Sequence, residues 1–577
     1  MNTLKIGVYI CHCGGNISDY VDVEEVRAAA TGEPGVAVAK TAMFTCSDAT
    51  QQEIVTDIRE HGLEGLVVAS CSPKLHLFTF RETAKRAGLN PYQYTQVNLR
   101  EQCSWAHRHN RRAATEKAIR LVRSGIARTK LTVPLEPLKI ETTPAVLVVG
   151  AGVAGLRAAV GLADLGLNVY LLEKEAQPGG WVNRPGKMYP AGRTGKEIIA
   201  QLLAEVRKRK EITLFTGAEL VEKSGSIGSF QVKVRVGEGR RQDISLNVGA
   251  VITATGFNPY RPAACEYGHG FAGAVTLPEY WNLLAAANGS LIYRGKEIKN
   301  VVYIYCVGSR QDPEKENTRS YCSRYCCNAA VYAALQTAEI NPQIHQYHLY
   351  RDMRTYGKNE LLFTRAREQG VRFLKFAGDN PPRVEEHADG RLQVTVGDLL
   401  TYGEEVQIRA DLVVLVTGMV PRENEKLIQV LKLPLGKDGF FNEIHPKLRP
   451  VETVVGGVFI CGAAQGPKNS AESVASALAA VTQSAALLKK GFVELEPLIA
   501  AVNPELCTWC AQCAKACPYA AIEQAQGEEK EVARVNRALC KGCGGCVPAC
   551  PAGALDLQGY TDAQIRAMID AFLKEAS

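Results

Sequence analysis

The stretch AVLVVGAGVAGLRAAVGLADLGLNVYLLEKE, residues 145–175, decides the fold of the central part of the chain. It is typical of a strand, a glycine turn, a helix and a second strand. Gly150 permits the tight turn, Gly152 lets a pyrophosphate approach the backbone, and Gly155 lets the helix pack close to the sheet. Glu173, at the end of the second strand, is placed to accept hydrogen bonds from a ribose. Because the strand, the glycine turn, the helix, the second strand and the acidic residue all occur in this order, the stretch predicts a dinucleotide-binding Rossmann unit.

Two later segments favour FAD over NAD as the dinucleotide. GAVITATG ends at Thr255 and Gly256, and GGVFICGAA ends near Gly462. Both are similar to the later strands of flavoproteins that bind two dinucleotides. Besides the residues named above, the predicted cofactor-binding residues are Val153, Ala154, Lys174, Gly180, Thr255, Gly256, Gly462, Ala463, Gln465, Gly466 and Lys468.

The last of these segments continues as QGPKNSAESVASALAAV, in which Asn469 or Ser470 is predicted to cap a helix. Glu472 stands three residues after Asn469, which is the spacing of a capping box. A helix N-terminus aimed at the isoalloxazine would stabilise the negative charge of reduced flavin. Lys468 would add a full charge near the ring and is the candidate catalytic residue. The alternative is an exposed loop lysine, because charged residues are mostly exposed.

A second Rossmann unit is expected near Asn300, because thioredoxin-reductase-like flavoproteins insert one between the FAD halves. The strand VVYIY is there, but CVGSR and YCSRYCC follow where a second glycine pattern would hold NADPH. We therefore expect no productive NAD(P)H binding, and a metal cluster near the flavin on Cys306, Cys322, Cys326 and Cys327. A structural zinc is the alternative, but adjacent cysteines are unusual for zinc, whose ligands lie roughly two to four residues apart.

Near the C-terminus the pattern C-x2-C-x2-C-x3-C-P occurs twice, as CTWCAQCAKACP and CKGCGGCVPACP. In this pattern the fourth cysteine binds the other cluster. One [4Fe–4S] cluster is therefore assigned to Cys507, Cys510, Cys513 and Cys550, and the second to Cys540, Cys543, Cys546 and Cys517. Disulfides or a pair of zinc sites do not explain two identical four-cysteine runs that each end in proline.

Residues 1 to about 125 alternate short apolar strands with helical segments, which predicts a small parallel sheet covered by helices. Cysteines follow the successive strands: Cys11 and Cys13 the first, Cys46 the second, Cys71 the third and Cys103 the fourth. Because the carboxyl ends of parallel strands face one crevice, these thiols are expected to converge on a further [4Fe–4S] cluster. Five candidates for four positions leave one cysteine unassigned. The alternative is a set of scattered buried cysteines.

Composition limits the function classes. The chain has 577 residues, 67 basic and 60 acidic residues, a formal net charge of +7 and 46% hydrophobic residues. Such a mixed surface does not predict a nucleic-acid partner. Nineteen cysteines without a recognisable signal peptide predict a reducing, cytoplasmic compartment. The longest apolar stretch, residues 145–172, is rich in Gly and contains Arg157 and Asp164, so no transmembrane segment is expected.

The predicted architecture is a multidomain α/β chain. Its parts are an N-terminal parallel α/β domain (1–125), a proline-rich linker (126–144), the first part of a thioredoxin-reductase-like two-Rossmann FAD domain (145–298), an inserted Rossmann-like domain with the flavin-proximal cluster (299–418), the second FAD part (419–490) and a C-terminal α+β double-cluster ferredoxin domain (491–577).

Over nearly its whole length the sequence resembles HdrA, the flavin-containing subunit of heterodisulfide reductase. The resemblance rests on CHCGGN, CSD and SCSP in the first domain, VGAGVAGL, the split C…YCSRYCC set, DMRTYGK, CGAAQGPK and the double-cluster module. Some family members carry a further ferredoxin domain inserted in the flavin domain, and no C-x2-C-x2-C run lies between Pro178 and Gly256 here. An electron path or dimer contact that depends on that insert is therefore not implied for this chain.

The resemblance implies FAD, a cluster beside the flavin and a larger hetero-complex, expected to be a dimer. Its implied partners are HdrB-like and HdrC-like subunits that reduce a disulfide or another acceptor, a small [2Fe–2S] MvhD-like protein that delivers electrons, and soluble ferredoxin. The implied reaction is flavin-based electron bifurcation or its reverse. One electron of a pair passes to a higher-potential acceptor, and the other, more reducing, passes to the C-terminal clusters and ferredoxin.

Two other functions remain open at this point. The first is that of an electron relay without bifurcation, between a partner and a quinone- or coenzyme A-linked reductase. The second is an assembly scaffold whose clusters merely hold domains together. Ferredoxin reduction that requires the high-potential acceptor at the same time separates bifurcation from relay, and flavin turnover excludes the scaffold.

Overall fold

The computed structural model describes residues 4–184, 186–190, 192–237 and 242–574. The chain divides into two compact units. The first consists of the residues up to Lys139 together with those from Glu494 onward, and the second runs from Ile140 to Val493. The N-terminal and C-terminal segments, which were expected to be separate domains, therefore belong to one unit. The strands Leu138–Glu141 and Phe492–Leu495 span the two points of division.

The N-terminal segment forms the predicted parallel sheet. Its strands lie in the order Val36–Ala42, Ile6–Cys11, Gly65–Ser70, Tyr94–Asn98. Its helices are Val23–Thr31, Asp48–His61, Pro73–Ala87 and Arg111–Thr129, with short helical turns at Cys13–Gly15 and Arg100–Ser104. Val8 and Tyr9 pack on opposite sides of the sheet, in two separate apolar cores. Helices cover both faces, which explains why the central strands are continuous apolar runs.

The C-terminal segment is built from short antiparallel pairs. Ala500–Val502 pairs with Leu555–Leu557, Ile522–Gln526 pairs with Glu531–Val535, and the helices are Gln512–Ala516 and Asp562–Leu573. The last helix packs on the helix Arg111–Thr129, where Ser124 donates a hydrogen bond to the Met568 carbonyl at 3.0 Å. Arg128 donates to the Gly559 carbonyl at 2.7 Å and lies over the Tyr560 ring. These contacts join the two segments of the first unit.

The second unit opens with the predicted Rossmann sheet, whose parallel strands lie in the order Ile212–Phe215, Asn168–Leu172, Ala145–Val149, Ala250–Thr253, Val458–Ile460. The helices of this half are Val153–Asp164, Gly195–Lys208, Glu425–Leu431 and Ser470–Leu488. An antiparallel sheet of Ala218–Ser226, Ser229–Val236 and Gln242–Val248 packs beside it. The fold class predicted for this region is confirmed.

A second parallel sheet follows, in the order Ala274–Thr276, Leu412–Thr417, Asn300–Val307, His345–Tyr350, Arg372–Lys375. Its helices are Leu277–Ala286, Cys326–Ile340 and Glu360–Glu368. An antiparallel sheet of Arg383–Glu386, Leu392–Asp398 and Glu404–Ala410 packs against it. Short antiparallel pairs complete the unit: Lys187–Met188 with Arg193–Thr194, and Ile292–Tyr293 with Lys296–Glu297.

The inserted half begins earlier than residue 299, the boundary expected from the sequence. The strand Phe257–Pro259 pairs antiparallel with Met419–Pro421, so the chain enters and leaves the insertion side by side. The strand Ala274–Thr276 already belongs to the second sheet. At three residues it is too short to give a recognisable apolar pattern. Likewise, the helix Arg111–Thr129 continues into the segment that was expected to be a linker.

One described helix, Ser470–Leu488, is long and apolar enough by length and composition to cross a membrane. In this fold it packs on the first Rossmann sheet, where Ala477, Ala480 and Val481 belong to the apolar core. Its apolar character is accounted for by that packing.

A buried polar network lies under the second sheet. His348 is fully buried and stacks on Tyr303 with ring centroids 4.0 Å apart. Its Nδ1 lies 2.8 Å from the Tyr305 hydroxyl, and its Nε2 has no hydrogen-bond partner among the described residues. Burial lowers the pKa of His348 to about 3, so the imidazole is neutral in the folded chain.

We expect this histidine to make the chain less stable in mild acid. Between about pH 6.5 and pH 3 the unfolded chain protonates His348 and the folded chain does not, so the free energy of unfolding falls as the pH is lowered. The loss amounts to at most about 1.4 kcal/mol per pH unit. His348→Phe should remove this contribution from the pH slope of urea unfolding, and His345→Phe, at an exposed position of the same strand, should keep it. Equal slopes for wild type and His348→Phe would contradict the assignment.

Candidate functional site

A cavity of about 1120 Å³ opens in the second unit beside the first Rossmann sheet. Its size and its mixed polar and aromatic lining suit a large cofactor. Of the residues predicted to bind the cofactor, those that line it are Gly150, Gly152, Val153, Ala154, Glu173, Lys174, Gly180, Thr255, Gly256, Ala463 and Lys468.

The three glycines of the turn differ in how much space a side chain would have. Gly150 has φ +107°, and a Cβ there would lie 2.5 Å from the Ala254 carbonyl oxygen. A Cβ on Gly155 would lie 1.8 Å from the carbonyl oxygen of Gly150. A Cβ on Gly152 meets no protein atom within 4 Å, and this residue faces the cavity. Gly150 and Gly155 are therefore required by the protein's own packing, whereas Gly152 leaves the cavity side open for a ligand.

Glu173 has a structural role besides the predicted one. Its carboxylate accepts hydrogen bonds from the backbone N–H of Ala151 at 2.9 Å and of Glu175 at 3.0 Å. It thereby fixes the glycine turn to the end of the next strand. Each carboxylate oxygen has a second lone pair, so the group can still accept a ligand hydroxyl at the cavity wall.

Four predicted cofactor-binding residues do not line the cavity: Gly155, Gly462, Gln465 and Gly466. Gln465 donates hydrogen bonds to Glu443 at 2.9 Å and to the Pro450 carbonyl. A Cβ on Gly462 would lie 2.8 Å from that of Ala154, so this glycine serves close packing. Part of the motif therefore holds loops in place rather than facing the cavity.

Several cavity residues were missed by the sequence analysis. Trp181, Phe257 and Tyr325 form an aromatic row in which neighbouring ring centroids are 6.1 Å apart. Asn424 donates a hydrogen bond to the Thr255 hydroxyl at 3.3 Å from the other side. These residues come from four distant segments, and the sequence carries no spacing pattern that links them.

Lys468 lies at the cavity wall rather than in an exposed loop. Burial lowers the pKa of its ammonium group, while the carboxylates of Glu443 and Glu472 favour the charged form. The next residue, Asn469, caps the helix Ser470–Leu488, and Glu472 completes the capping box. A charged side chain and a helix N-terminus therefore reach the same part of the cavity.

The four cysteines predicted near the flavin lie together. Cys306, in the strand Asn300–Val307, has φ +63°, and Cys326 and Cys327 begin the helix Cys326–Ile340. Burial raises the pKa of Cys306 to about 11, and the neighbouring Cys327 and Cys322 act in the same direction. The contact between the paired thiols raises the pKa of Cys326 and lowers that of Cys327.

The same helix connects this thiol set to the cavity. Tyr325, directly before it, and Asn328, Ala329 and Tyr332 on it all line the cavity wall. Tyr325 is held by a hydrogen bond from its hydroxyl to the Thr417 carbonyl at 3.1 Å. The thiol set therefore stands directly behind one wall of the cavity.

An ion pair joins the cysteine loop to the capped helix on the other side. Arg324, between Cys322 and Cys326, pairs closely with Glu472. The Tyr356 hydroxyl donates to the same carboxylate at 2.8 Å and receives a hydrogen bond from Asn469 at 3.3 Å. The loop that carries two thiols is thus fixed relative to the helix N-terminus beside Lys468.

In the first unit, the thiols that follow successive strands separate into a group of four and one outlier. Cys46 and Cys71 each lie close enough to Cys11 and Cys13 for those thiols to raise their pKa, after the larger effect of burial. Cys103 has no such neighbour; burial raises its pKa to about 11, and its Sγ–H donates to the Ala114 carbonyl at 2.9 Å. The helical turn at Arg100–Ser104 directs this thiol into the apolar core.

The structure brings together one of the two C-terminal cysteine sets that the motif predicts, since Cys517 lines the same small cavity as Cys540, Cys543 and Cys546. That Cys550 joins the other set stays a prediction. Cys540, Cys543 and Cys517 all lie close enough to Cys546 to raise its pKa, after burial. Cys507 and Cys510 act in the same way on Cys513. The two crossing cysteines have matching environments, since the N–H of Ala521 donates to Cys517 at 3.4 Å and that of Ala554 donates to Cys550 at 3.3 Å.

Within the described ranges, no three or more His, Cys, Asp or Glu side chains converge as ligands of one metal ion. A [4Fe–4S] cluster makes a different geometric demand, because each thiolate binds a different iron, whereas zinc ligands all lie about 2.3 Å from one ion. The donor set fits iron–sulfur chemistry, since it consists of cysteines in groups that influence one another's pKa.

Comparisons with known proteins match two regions of the chain to family models and nearly the whole chain to related proteins. Residues 144–284 match the family model of pyridine nucleotide-disulphide oxidoreductases, and residues 500–552 match that of 4Fe-4S dicluster domains. The chain is 37% identical to an HdrA-type iron-sulfur protein of the CoB–CoM heterodisulfide reductase of Methanopyrus kandleri, over 99% of this chain and 98% of that protein. It is 36% identical to the corresponding component of the H(2):CoB-CoM heterodisulfide,ferredoxin reductase of Methanothermobacter thermautotrophicus, over 100% of this chain and 98% of that protein.

The first of these alignments extends over 659 positions, more than the 577 residues of this chain. That relative therefore carries segments that have no counterpart here. Among solved structures, a thioredoxin reductase from T. acidophilum matches 60% of this chain and 99% of its own length, at 18% identity and a TM-score of 0.41.

The glycine turn provides a matched pair of substitutions. Gly155→Ala should force the backbone apart and cost about 1–3 kcal/mol of stability, as overpacking does. Gly152→Ala has room in the protein and an ordinary φ of −74°, so it should keep the melting temperature of the cofactor-free chain and weaken FAD binding. Thermal unfolding and fluorescence titration with FAD measure the two effects. A Gly155→Ala chain as stable as wild type would show that packing does not require a glycine at this position.

Proposed function

The chain belongs to the HdrA family of heterodisulfide reductase subunits, and we propose that it divides electron pairs at a bound FAD between two acceptors. It is an iron–sulfur flavoprotein oxidoreductase. In the proposed reaction one electron of each pair passes to a higher-potential acceptor, such as a disulfide reduced by partner subunits. The other passes to soluble ferredoxin.

Different residues of this chain would hold different parts of the cofactors. FAD, when bound, supplies a centre that accepts two electrons and releases them singly, and each [4Fe–4S] cluster supplies a one-electron centre. The turn at Gly150 and Gly152 would hold the pyrophosphate, and Glu173 the ribose. Lys468 and the capped helix N-terminus would stabilise negative charge on the ring. Trp181, Phe257 and Tyr325 would exclude water from it.

The observation that carries the proposal is the helix Cys326–Ile340. Its first turn provides two of four clustered thiols, and its next residues line the dinucleotide cavity. A cluster held by these thiols would supply a one-electron centre next to that wall of the cavity. Clusters held by the thiol sets of the first unit would supply the further one-electron centres that division of an electron pair requires.

A non-bifurcating relay remains the competing function. The relay needs the same cavity and the same thiol set as bifurcation. The two functions differ only in whether reduction of ferredoxin requires simultaneous reduction of the high-potential acceptor. The deciding experiment supplies reduced electron donor and oxidised ferredoxin to the native complex, with and without the high-potential acceptor. Ferredoxin reduction only in the presence of that acceptor supports bifurcation, and equal rates without it would support the relay.

Metal content tests the proposed clusters. We expect one FAD and about four [4Fe–4S] clusters, hence about sixteen irons per chain, after anaerobic purification. Cys71→Ala should lose about four irons, because Cys71 belongs to the N-terminal group of four thiols. Cys103→Ala, the matched control, should lose none. An equal loss of iron from both variants would show that Cys103 is also a ligand. A wild-type content of about eight irons would mean that only the two C-terminal clusters are present.

Lys468→Ala tests the charge beside the ring. We expect FAD to stay bound, because the pyrophosphate and ribose contacts lie elsewhere. We also expect the two-electron potential of the flavin to fall by about 30 mV or somewhat more, equivalent to about 1.4 kcal/mol, because the reduced anion loses a partner. Potentiometric titration of both proteins decides it. An unchanged potential at unchanged FAD occupancy would show that Lys468 does not stabilise the reduced flavin.

A further inference from the structure

Exposed apolar side chains gather at the edge of the N-terminal sheet where the four thiols lie. Met43, Phe44 and Trp105 are 57%, 47% and 41% exposed. Met43 and Phe44 precede Cys46, and Trp105 follows the turn Arg100–Ser104. Soluble proteins seldom expose several large apolar side chains together unless the surface binds a partner. Met, aromatic residues and Arg are also the types enriched in the centres of protein interfaces.

The chain holds these side chains in place against the thiols. The Phe44 ring lies 2.9 Å from where a Cβ on Gly14 would be, so it rests on the loop that carries Cys13. The Met43 carbonyl accepts a hydrogen bond from the Gly14 N–H at 3.4 Å. On the other side, the Arg100 guanidinium lies 4.8 Å from the centroid of the Trp105 ring and donates to Cys13 Sγ at 3.5 Å. We name Met43, Phe44 and Trp105 the apolar patch.

Positive charge follows directly after the patch. The segment His107–Arg112 reads HRHNRR, and Arg108, Arg111 and Arg112 are all exposed. Arg111 lies 3.9 Å from Asp22 and Arg112 lies 3.2 Å from Glu116, but exposed pairs of this kind contribute little energy. Two of the arginines stand in the first turn of the helix Arg111–Thr129, where the helix dipole disfavours positive charge. Helix stability therefore does not explain their presence.

We propose that this surface is the docking site of an acidic one-electron carrier protein of the ferredoxin type. The apolar patch supplies the centre of the interface, and the three arginines supply charge complementarity and steer association. In the docked complex one electron passes between the carrier's iron–sulfur cluster and the cluster held by Cys11, Cys13, Cys46 and Cys71, one being oxidised as the other is reduced. No proton or atom moves. This step rests on the N-terminal cluster of the proposed function, whereas the docking itself does not.

The test measures binding and electron transfer separately, with a purified acidic 2[4Fe–4S] ferredoxin and the full-length reconstituted chain. Calorimetry at low ionic strength gives the affinity for wild type and for the triple variant Arg108→Gln, Arg111→Gln, Arg112→Gln. We expect the triple variant to bind about tenfold more weakly and with a flatter salt dependence. The matched control removes the same charge from the exposed Arg207, Lys208 and Lys210 and should bind as wild type does.

A second variant tests the apolar patch. Met43→Ser should weaken binding about fivefold at both low and high salt, because it removes apolar contact and no charge. Iron content and circular dichroism confirm that each variant is folded. Equal affinity of wild type and the arginine variant would overturn the proposal, as would an equal loss in the control.

Two further outcomes distinguish this docking site from a nucleic-acid site and from the proposed N-terminal cluster. If a random-sequence DNA duplex competes with ferredoxin for the arginines and binds more tightly, the surface is a nucleic-acid site and the proposal fails. If ferredoxin binds as expected but stopped-flow mixing shows no electron transfer that depends on Cys71, the docking site stands and the N-terminal cluster of the proposed function fails.

Discussion

The helix Cys326–Ile340 imposes the constraint on which the proposed chemistry depends. It begins with two thiols of a four-cysteine set and continues along the wall of the dinucleotide cavity. A dinucleotide-binding Rossmann unit would place a glycine turn at this point, so that phosphate could approach the helix N-terminus. Here cysteines occupy that position, so the helix connects the four-thiol set to the wall of the cavity. The Arg324–Glu472 pair fixes the same loop from the opposite side.

Backbone geometry is shaped around the thiols in both units. Cys13, Cys306, Arg324 and Ala511 are non-glycine residues with φ between +55° and +63°, a left-handed conformation that costs about 1–3 kcal/mol each. Such turns direct successive N–H groups toward one point, which suits an anionic sulfur. The N–H of Arg324 donates to the Cys322 sulfur at 3.3 Å. Hydrogen bonds of this kind to ligand sulfurs are among the factors that set cluster potentials.

Much of the fold could be predicted from the sequence, because its signals are local. The glycine turn after Val149 and the two C-x2-C-x2-C-x3-C-P runs each carry their own context within a few residues. The inserted half was harder, since the three-residue strand Ala274–Thr276 is recognisable only by its partner Leu412–Thr417. The aromatic row of Trp181, Phe257 and Tyr325 was missed for the same reason: its members meet only in the folded chain. Cys103 could not be told from the true neighbours of Cys11 without the turn that directs it inward.

The most direct test of the central claim is an anomalous difference map, measured at the iron absorption edge on crystals of the anaerobically purified protein. Our account predicts a four-iron peak enclosed by Cys306, Cys322, Cys326 and Cys327, with flavin density in the adjoining cavity. A single-ion peak at the zinc edge, or no metal at all between these four thiols, would contradict it.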